Sequence, residues 1–479
     1  MPSSVKLPQR PALDYSGTLR NIRRLIYLYI VLLMVEGVLR KWIVPQFSDP
    51  LLLIRDPVVL AIYFLAWRAH VWPRNAFVIS LAIIGFLCWI VSIFVLDPYV
   101  PMSRILFVTA YGFRSNFLHL PLIFIFASVF NAEDVKRIGW WILLGMIPMS
   151  LLMALQFHSS PDSFINRTVG LGEGEQITAG GGKIRPPGTF SFISGPIHYV
   201  ATAAAFVLYG ALSRGTYRTW LLFLAGFGIL LAMVVSGSRS LVISVLLVVL
   251  SLAVVLLIRP DAVNRFGRSL LAVVLAALII TRIPIVQEGM GVLSDRFTES
   301  AEAADTTIIK GLVTRTIGGF TEGLRVIDKI PLFGWGLGIG TNVGARVIVG
   351  RPAFLLAENE WTRVLHENGP ILGLAFLLWR SAMTAYLGYL SVRALTRADI
   401  LPLLLFSAGF IVLLNGQLGQ PTSLGFAILL NGLCLASIAP RKLAEAGTPP
   451  PERALPRRSA YAARLHGAGT SQFNGSVDW

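Results

Sequence analysis

Long apolar runs recur along this chain, and nothing constrains its fold more. About twelve stretches of roughly 17–27 residues are apolar enough to cross a membrane, centred on 25–44, 51–68, 76–96, 104–130, 138–157, 196–213, 219–236, 239–258, 268–286, 369–390, 401–417 and 421–440. In hydrocarbon an unpaired backbone N–H or C=O costs several kcal/mol, so only helices or a closed barrel can span it. No two-residue alternation points to a barrel. The expected fold is therefore all-α, a polytopic bundle of about twelve transmembrane helices. Charged residues make up 14% of the chain and apolar ones 55%, which excludes an ordinary soluble domain.

Short cytoplasmic loops carry Lys and Arg, and this orients the bundle. Arg10, Arg20, Arg23 and Arg24 precede the first span, and the basic pairs Arg68/Arg74, Lys136/Arg137, Arg214/Arg218 and Arg393/Arg397 fall in alternate loops. Both termini are expected in the cytoplasm, with residues 1–24 a basic N-terminus and 441–479 a disordered basic tail rich in Pro, Ala, Arg and Gly. The net charge of +16 then faces anionic lipid, and nucleic acid need not be invoked. The first run carries Glu36 and no small-residue cleavage site, so it reads as an uncleaved anchor. Cys88 and Cys434 fall within spans and read as small buried apolar residues.

Two outer loops of substance remain, 158–195 within the bundle 25–286, and a polar insert at 287–368 between spans 9 and 10, followed by the bundle 369–440. The first contains Gly180-Gly181-Gly182-Lys183 and Arg185-Pro186-Pro187-Gly188-Thr189-Phe190. Its glycines suit a phosphate cradle or a mobile surface loop, and the Gly-Lys-Ser/Thr ending of a nucleotide-binding loop is missing. Ser236-Gly237-Ser238-Arg239-Ser240 breaks two apolar runs on the same side, as a tight turn or a polar site. The insert holds Arg315-Thr316-Ile317-Gly318, and then Pro331 to Asn342 with glycines at 334, 336, 338 and 340, a spacing wrong for dinucleotide binding and right for close backbone approach. It closes on Glu358-Asn359-Glu360-Trp361-Thr362-Arg363-Val364-Leu365-His366-Glu367-Asn368-Gly369.

The order of these motifs resembles the O-antigen ligase and O-antigen polymerase superfamily of membrane glycosyltransferases, over roughly residues 180 to 390. The resemblance rests on Arg185-x-x-Gly-Thr-Phe before a span, Ser-Gly-Ser-Arg-Ser at 236–240, Arg315 opening an amphipathic stretch, Pro-Leu-Phe-Gly-x-Gly-x-Gly at 331–338, and Glu367, Gly369 and Gly373. It implies a helical fold of the glycosyltransferase C type in a bacterial inner membrane. The implied reaction moves a glycan from an undecaprenyl diphosphate donor to an acceptor hydroxyl at the periplasmic face, without metal or other cofactor. Such an enzyme would work beside other polysaccharide-assembly proteins, a chain-length regulator among them. Family members often carry His-Asn shortly before the closing motif, whereas this chain has Glu358-Asn359.

A diphosphate leaving group needs fixed positive charge where its negative charge grows, and arginine forks supply it bidentately. Arg185, Arg315, Arg239 and Arg114 are the candidates for the donor diphosphate, with lipid-headgroup contacts or structural ion pairs as the plainer alternative. Glu358, His366 and Glu367 are the candidates for the base that takes the acceptor proton. Asn359, Glu360, Arg363, Trp335 and Trp361 are the candidates for holding the glycan; the two tryptophans suit sugar stacking or interfacial anchoring equally. On a helix, Glu360 and Glu367 share a face with Arg363 between them. Arg55 and Asp56 are expected to pair with each other, and His198 to pack at a helix end. No metal-ligand set occurs in the outer loops. A lipid-linked glycan flippase or transporter is the rival class, although no repeat relates the two halves. Polymerase is preferred here to ligase.

Overall fold

A computed structural model describes residues 15–96, 100–169, 178–180, 182–213, 215–258, 284–303, 322–351 and 355–438. In chain order the helices are α1 (Tyr15–Val38), α2 (Asp56–Arg68), α3 (Ala76–Leu96), α4 (Met102–Phe113), α5 (Leu122–Val129), α6 (Ala132–His158), α7 (Ser194–Leu212), α8 (Thr219–Val235), α9 (Arg239–Ile258), α10 (Pro284–Ala303), α11 (Asn342–Val349), α12 (Glu360–Leu395), α13 (Leu401–Asn415) and α14 (Pro421–Ile438). A two-stranded hairpin, β1 (Thr178–Gly180) with β2 (Lys183–Ile184), is the only sheet among the described residues. The protein is thus all-α and membrane-like, as its apolar runs dictate.

Among the described residues, seven helical segments are long and apolar enough to cross a membrane: Pro45–Arg68, Ala76–Leu96, Met102–Val129, Ala132–His158, Ser194–Leu212, Glu360–Leu395 and Pro421–Ile438. That is fewer than the twelve or so expected. Helices α8 and α13, and α9 over Arg239–Val255, are apolar but shorter. Helix α1 has Arg20, Arg23, Arg24 and Glu36 among its 24 residues, and most of the expected run 268–286 lies outside the described residues.

Burial follows helical spacing. On α3, Leu81, Gly85, Cys88 and Ser92 face inward, whereas Ile79, Ile83, Phe86 and Phe94 are exposed on the side a bilayer would cover. Helix α14 is buried along nearly its whole length and packs on α13, α5 and α7. The start of α6 is fixed by a capping box, with Asn131 accepting from the Asp134 amide at 2.9 Å and Asp134 from the Asn131 amide at 3.1 Å. Asp134 also meets Arg23 of α1 at 3.3 Å.

Two π turns interrupt the helices, Leu39–Ile43 after α1 and Arg114–Leu118 after α4. Each holds buried cations, Arg40 and Lys41 in the first and Arg114 in the second. Helix α12 is broken at Gly369 (φ 74°, ψ 173°), next to Pro370. The expected end of the insert, at 368, thus falls on a kink within one helical element. A side chain at Gly369 would strike the Leu332 carbonyl, so both the dihedrals and the space require glycine.

Candidate functional site

The first turns of α12 carry a closed ionic network. Glu360 Oε1 accepts from Arg380 Nη1 at 2.8 Å, Arg363 Nη2 at 3.0 Å and the Leu418 amide at 3.2 Å, while its Oε2 accepts from Arg363 Nε at 2.9 Å. Arg363 Nη1 donates to Glu367 Oε2 at 2.6 Å, and Glu367 Oε1 accepts from the Gly340 amide at 2.9 Å. Arg380 completes its fork on the Leu413 and Gly416 carbonyls at 2.8 and 2.9 Å. Two carboxylates face two guanidiniums, and all four side chains are buried.

The helical spacing of Glu360, Arg363 and Glu367 brings these three candidates together, as the sequence suggests. It also commits them to one another, since every carboxylate oxygen has a protein donor. Such a set is well suited to fixing the start of α12. Arg380 was not among the sequence candidates. The signal that could have found it is an arginine in the middle of an apolar run, which must be paired inside the protein.

The stretch 331–340 is threaded against this network. The Trp335 amide donates to the His366 carbonyl at 2.7 Å, the Gly336 amide to the Glu367 carbonyl at 3.0 Å, and the Leu337 amide to Ser92 Oγ of α3 at 2.7 Å. At Gly338 (φ 92°) a side chain would collide with the Val108 carbonyl of α4. The glycine spacing therefore serves close approach to neighbouring helices.

A second ionic cluster lies where α1 ends and α2 begins. Arg55 reaches Glu36 at 3.4 Å, the Tyr29 hydroxyl at 3.3 Å and the Pro421 carbonyl. Asp56 instead accepts from Arg114 Nε, at 3.1 and 2.9 Å to its two oxygens, and meets His119 Nε2 at 2.9 Å. Arg55 and Asp56 thus do not pair with each other, because successive residues at a helix start point apart. Arg40 donates to the Ser48 hydroxyl at 3.1 Å and the Ser191 hydroxyl at 3.2 Å and faces Glu36 at 3.4 Å. Lys41 donates to the Gly188 carbonyl at 2.7 Å and lies 4.3 Å from the Trp42 ring centre, with no ion pair among the described residues.

This cluster is not balanced. Arg40, Arg55 and Arg114 face Glu36 and Asp56, an excess of one positive charge before any on His119, and Lys41 adds a buried ammonium with no ion pair among the described residues. Asp49 lies near Arg40 but is exposed and has its own partner, Arg346 at 2.6 Å. Arg114 is 5% exposed, and its Nη1 has no hydrogen-bond partner among the described residues.

Two joints connect the clusters. Within one π turn Arg114 serves the second cluster and Asn116 the first, accepting from Arg363 Nη2 at 2.9 Å. The α13–α14 turn offers Gly416 to Arg380, Leu418 to Glu360 and Pro421 to Arg55.

The loop carrying Arg185 rests on the unbalanced cluster. Any side chain at Gly37 of α1 would run into the backbone of Thr189 to Ser191, and Gly188 is held by Lys41 and by Gln156, whose Oε1 accepts the Gly188 amide at 2.8 Å. A methyl group at Gly237 would lie 2.6 Å from Ala179 Cβ and 3.9 Å from Arg185 Cγ, so the same loop meets the turn before Arg239. Arg185 and Arg239 are thereby on adjoining segments. Arg315 lies outside the described residues.

Of the other candidates, Glu358 is exposed, and its backbone carbonyl accepts from Gln417 at 2.6 Å. Asn359 caps α12 through the Trp361 amide at 3.1 Å and reaches Glu322 at 3.3 Å. His366 is half-buried, with Nδ1 2.8 Å from the Thr362 carbonyl. A carbonyl only accepts, so Nδ1 carries the hydrogen and Nε2 holds the lone pair in the neutral ring. Trp361 donates to the Leu414 carbonyl at 3.1 Å, while Trp335 is 48% exposed. His198 packs on Phe426, ring centres 5.7 Å apart. Among the described residues no three His, Cys, Asp or Glu side chains gather as a metal site would need. Compared with known protein families and with curated proteins, the chain has no match.

Proposed function

We propose that this protein is a polysaccharide polymerase of a bacterial inner membrane, moving glycan from undecaprenyl diphosphate to a sugar hydroxyl at the periplasmic face. In this reading the chain crosses the membrane about twelve times with both ends in the cytoplasm. The parts of 287–368 that pack on the helices then belong to a periplasmic insert over the site. The observation that carries the reading is the seating of the Arg185 loop on Lys41 and on a cluster in which three arginines face two carboxylates. Departure of a lipid diphosphate builds negative charge on phosphate oxygens, and fixed guanidiniums in a dry site stabilise it without reorganising. Arg185 and Arg239 would grip the diphosphate at the mouth, and Arg114 from the buried side. Trp335, exposed beside the backbone of His366, offers a ring for a sugar face.

His366 and Glu358 are the groups left to accept the acceptor proton, since both oxygens of Glu360 and of Glu367 hold protein donors. The test is the purified protein in detergent with an undecaprenyl diphosphate-linked repeat unit, read by glycan lengthening and release of the diphosphate lipid. Turnover is expected to survive EDTA. Of Glu358→Gln and His366→Ala, the one that removes the base should lower turnover about 10²- to 10⁴-fold. Failure of the wild-type protein to lengthen or transfer any lipid-linked glycan would sink the proposal.

A further inference from the structure

We infer that the π turn at the end of α1, with Arg40 and Lys41, forms an anion subsite together with Arg114 and the Gly188–Ser191 loop, and that its ligand is a phosphate group of a diphosphate. The inference deepens the proposed donor binding and rests on it for the identity of the lipid. In the sequence, Arg40 and Lys41 stand out as charges at the end of a span, costly in lipid and expected to face the bundle interior.

Lys41 is 1% exposed, yet a single backbone carbonyl and one indole ring are the partners of its ammonium among the described residues. An ammonium has three donors. Arg40, next to it and 7% exposed, reaches across to Ser191, so the two cations straddle the Gly188–Ser191 loop. On the other side Tyr111 lies within electrostatic reach of both Arg40 and Arg114, and the Arg114 guanidinium sits 5.3 Å from its ring centre. Arg114 keeps a buried N–H without a hydrogen-bond partner among the described residues. Buried cations persist when an anion or well-placed acceptors compensate them. The Glu360–Arg380 network shows this same fold balancing charge completely; around the α1 π turn three arginines face two carboxylates and Lys41 has no ion pair among the described residues. A diphosphate or a phosphate dianion supplies the missing negative charge with several acceptor oxygens.

The experiment measures binding to the purified full-length protein in detergent by intrinsic tryptophan fluorescence, with three probes: undecaprenyl diphosphate in mixed micelles, inorganic pyrophosphate, and undecaprenol as the uncharged control. Saturable binding of the diphosphate lipid is expected, with none of undecaprenol. Competition by pyrophosphate would identify the headgroup as the recognised part. Lys41→Met should weaken diphosphate binding about tenfold or more, and Lys41→Arg should recover most of it. Should Lys41→Met not fold, Arg114→Lys is the second variant, expected to weaken binding because a fork becomes a point charge. Unchanged affinity in a folded Lys41→Met or Arg114→Lys protein overturns the subsite. So does absence of saturable binding of either diphosphate by the wild type. A wild type that binds the diphosphate lipid but transfers no glycan keeps the subsite and removes the transferase reading.

Discussion

The two ionic clusters adjoin and share a π turn, yet they treat charge in opposite ways. Around Glu360 two acids and two arginines close on each other, with backbone groups of residues 340, 413, 416 and 418 completing their valences. Around Arg114 three arginines meet two acids beside a lysine without an ion pair among the described residues, and hydroxyls and carbonyls do the rest. The cations of both are buried, so exposure does not distinguish them. A closed set is built to hold helices in place. In the proposed function, the set left with net charge is built around the diphosphate of the donor.

The comparison breaks most readily at its closed half. Glu360→Gln strands part of the charge on Arg363 and Arg380 and should cost about 3–5 kcal/mol, measured by thermal unfolding in detergent. A loss below about 1 kcal/mol would mean that the network is not holding α12. Next in size is Arg185→Ala, which should reduce glycan transfer about 10²- to 10³-fold while the protein remains inserted and folded, with Lys a poor substitute. Wild-type transfer by that variant would detach the Arg185 loop from the chemistry. Gly338→Ala sets a Cβ against the Val108 carbonyl at a left-handed φ and should destabilise by about 1–3 kcal/mol; an unaffected melting temperature would show that the 331–340 stretch is not held against α4. The smallest effect sharpens the contrast. Lys41→Met should change stability by less than about 1 kcal/mol, because the charge removed has no ion-pair partner among the described residues. A loss as large as that of Glu360→Gln would erase the distinction between the clusters.

Helix class, the burial of Cys88 and Cys434 and the shared face of Glu360, Arg363 and Glu367 were legible because they derive from apolar runs and spacing alone. The glycine run at 331–340 was legible as a close approach, though not what it approaches. Pairing across the bundle was hidden. Arg55 and Asp56 are adjacent and of opposite sign, so local reading joins them, but their true partners are as much as 366 residues away in the chain. Arg380 and Asn116 entered the closed network unannounced for the same reason. The charge excess around Arg40 and Arg114 was beyond reach, since it is a sum over the end of α1, the two π turns and the start of α2 that only the fold brings together.

The π turn at Arg114–Leu118 has a bearing on how this chain tolerates gain and loss of residues. A π turn accommodates one more residue than an α-helix would over the same path. Deleting Ser115 would let the regular ladder close on that path and leave α5 in register with α4. Deleting one residue from α4 or α5 instead would turn everything beyond it by about 100° and separate the two clusters. The π turn is therefore where this part of the chain absorbs the loss of a residue, and chains descended from this one should carry single-residue deletions within these five positions sooner than in the helices on either side.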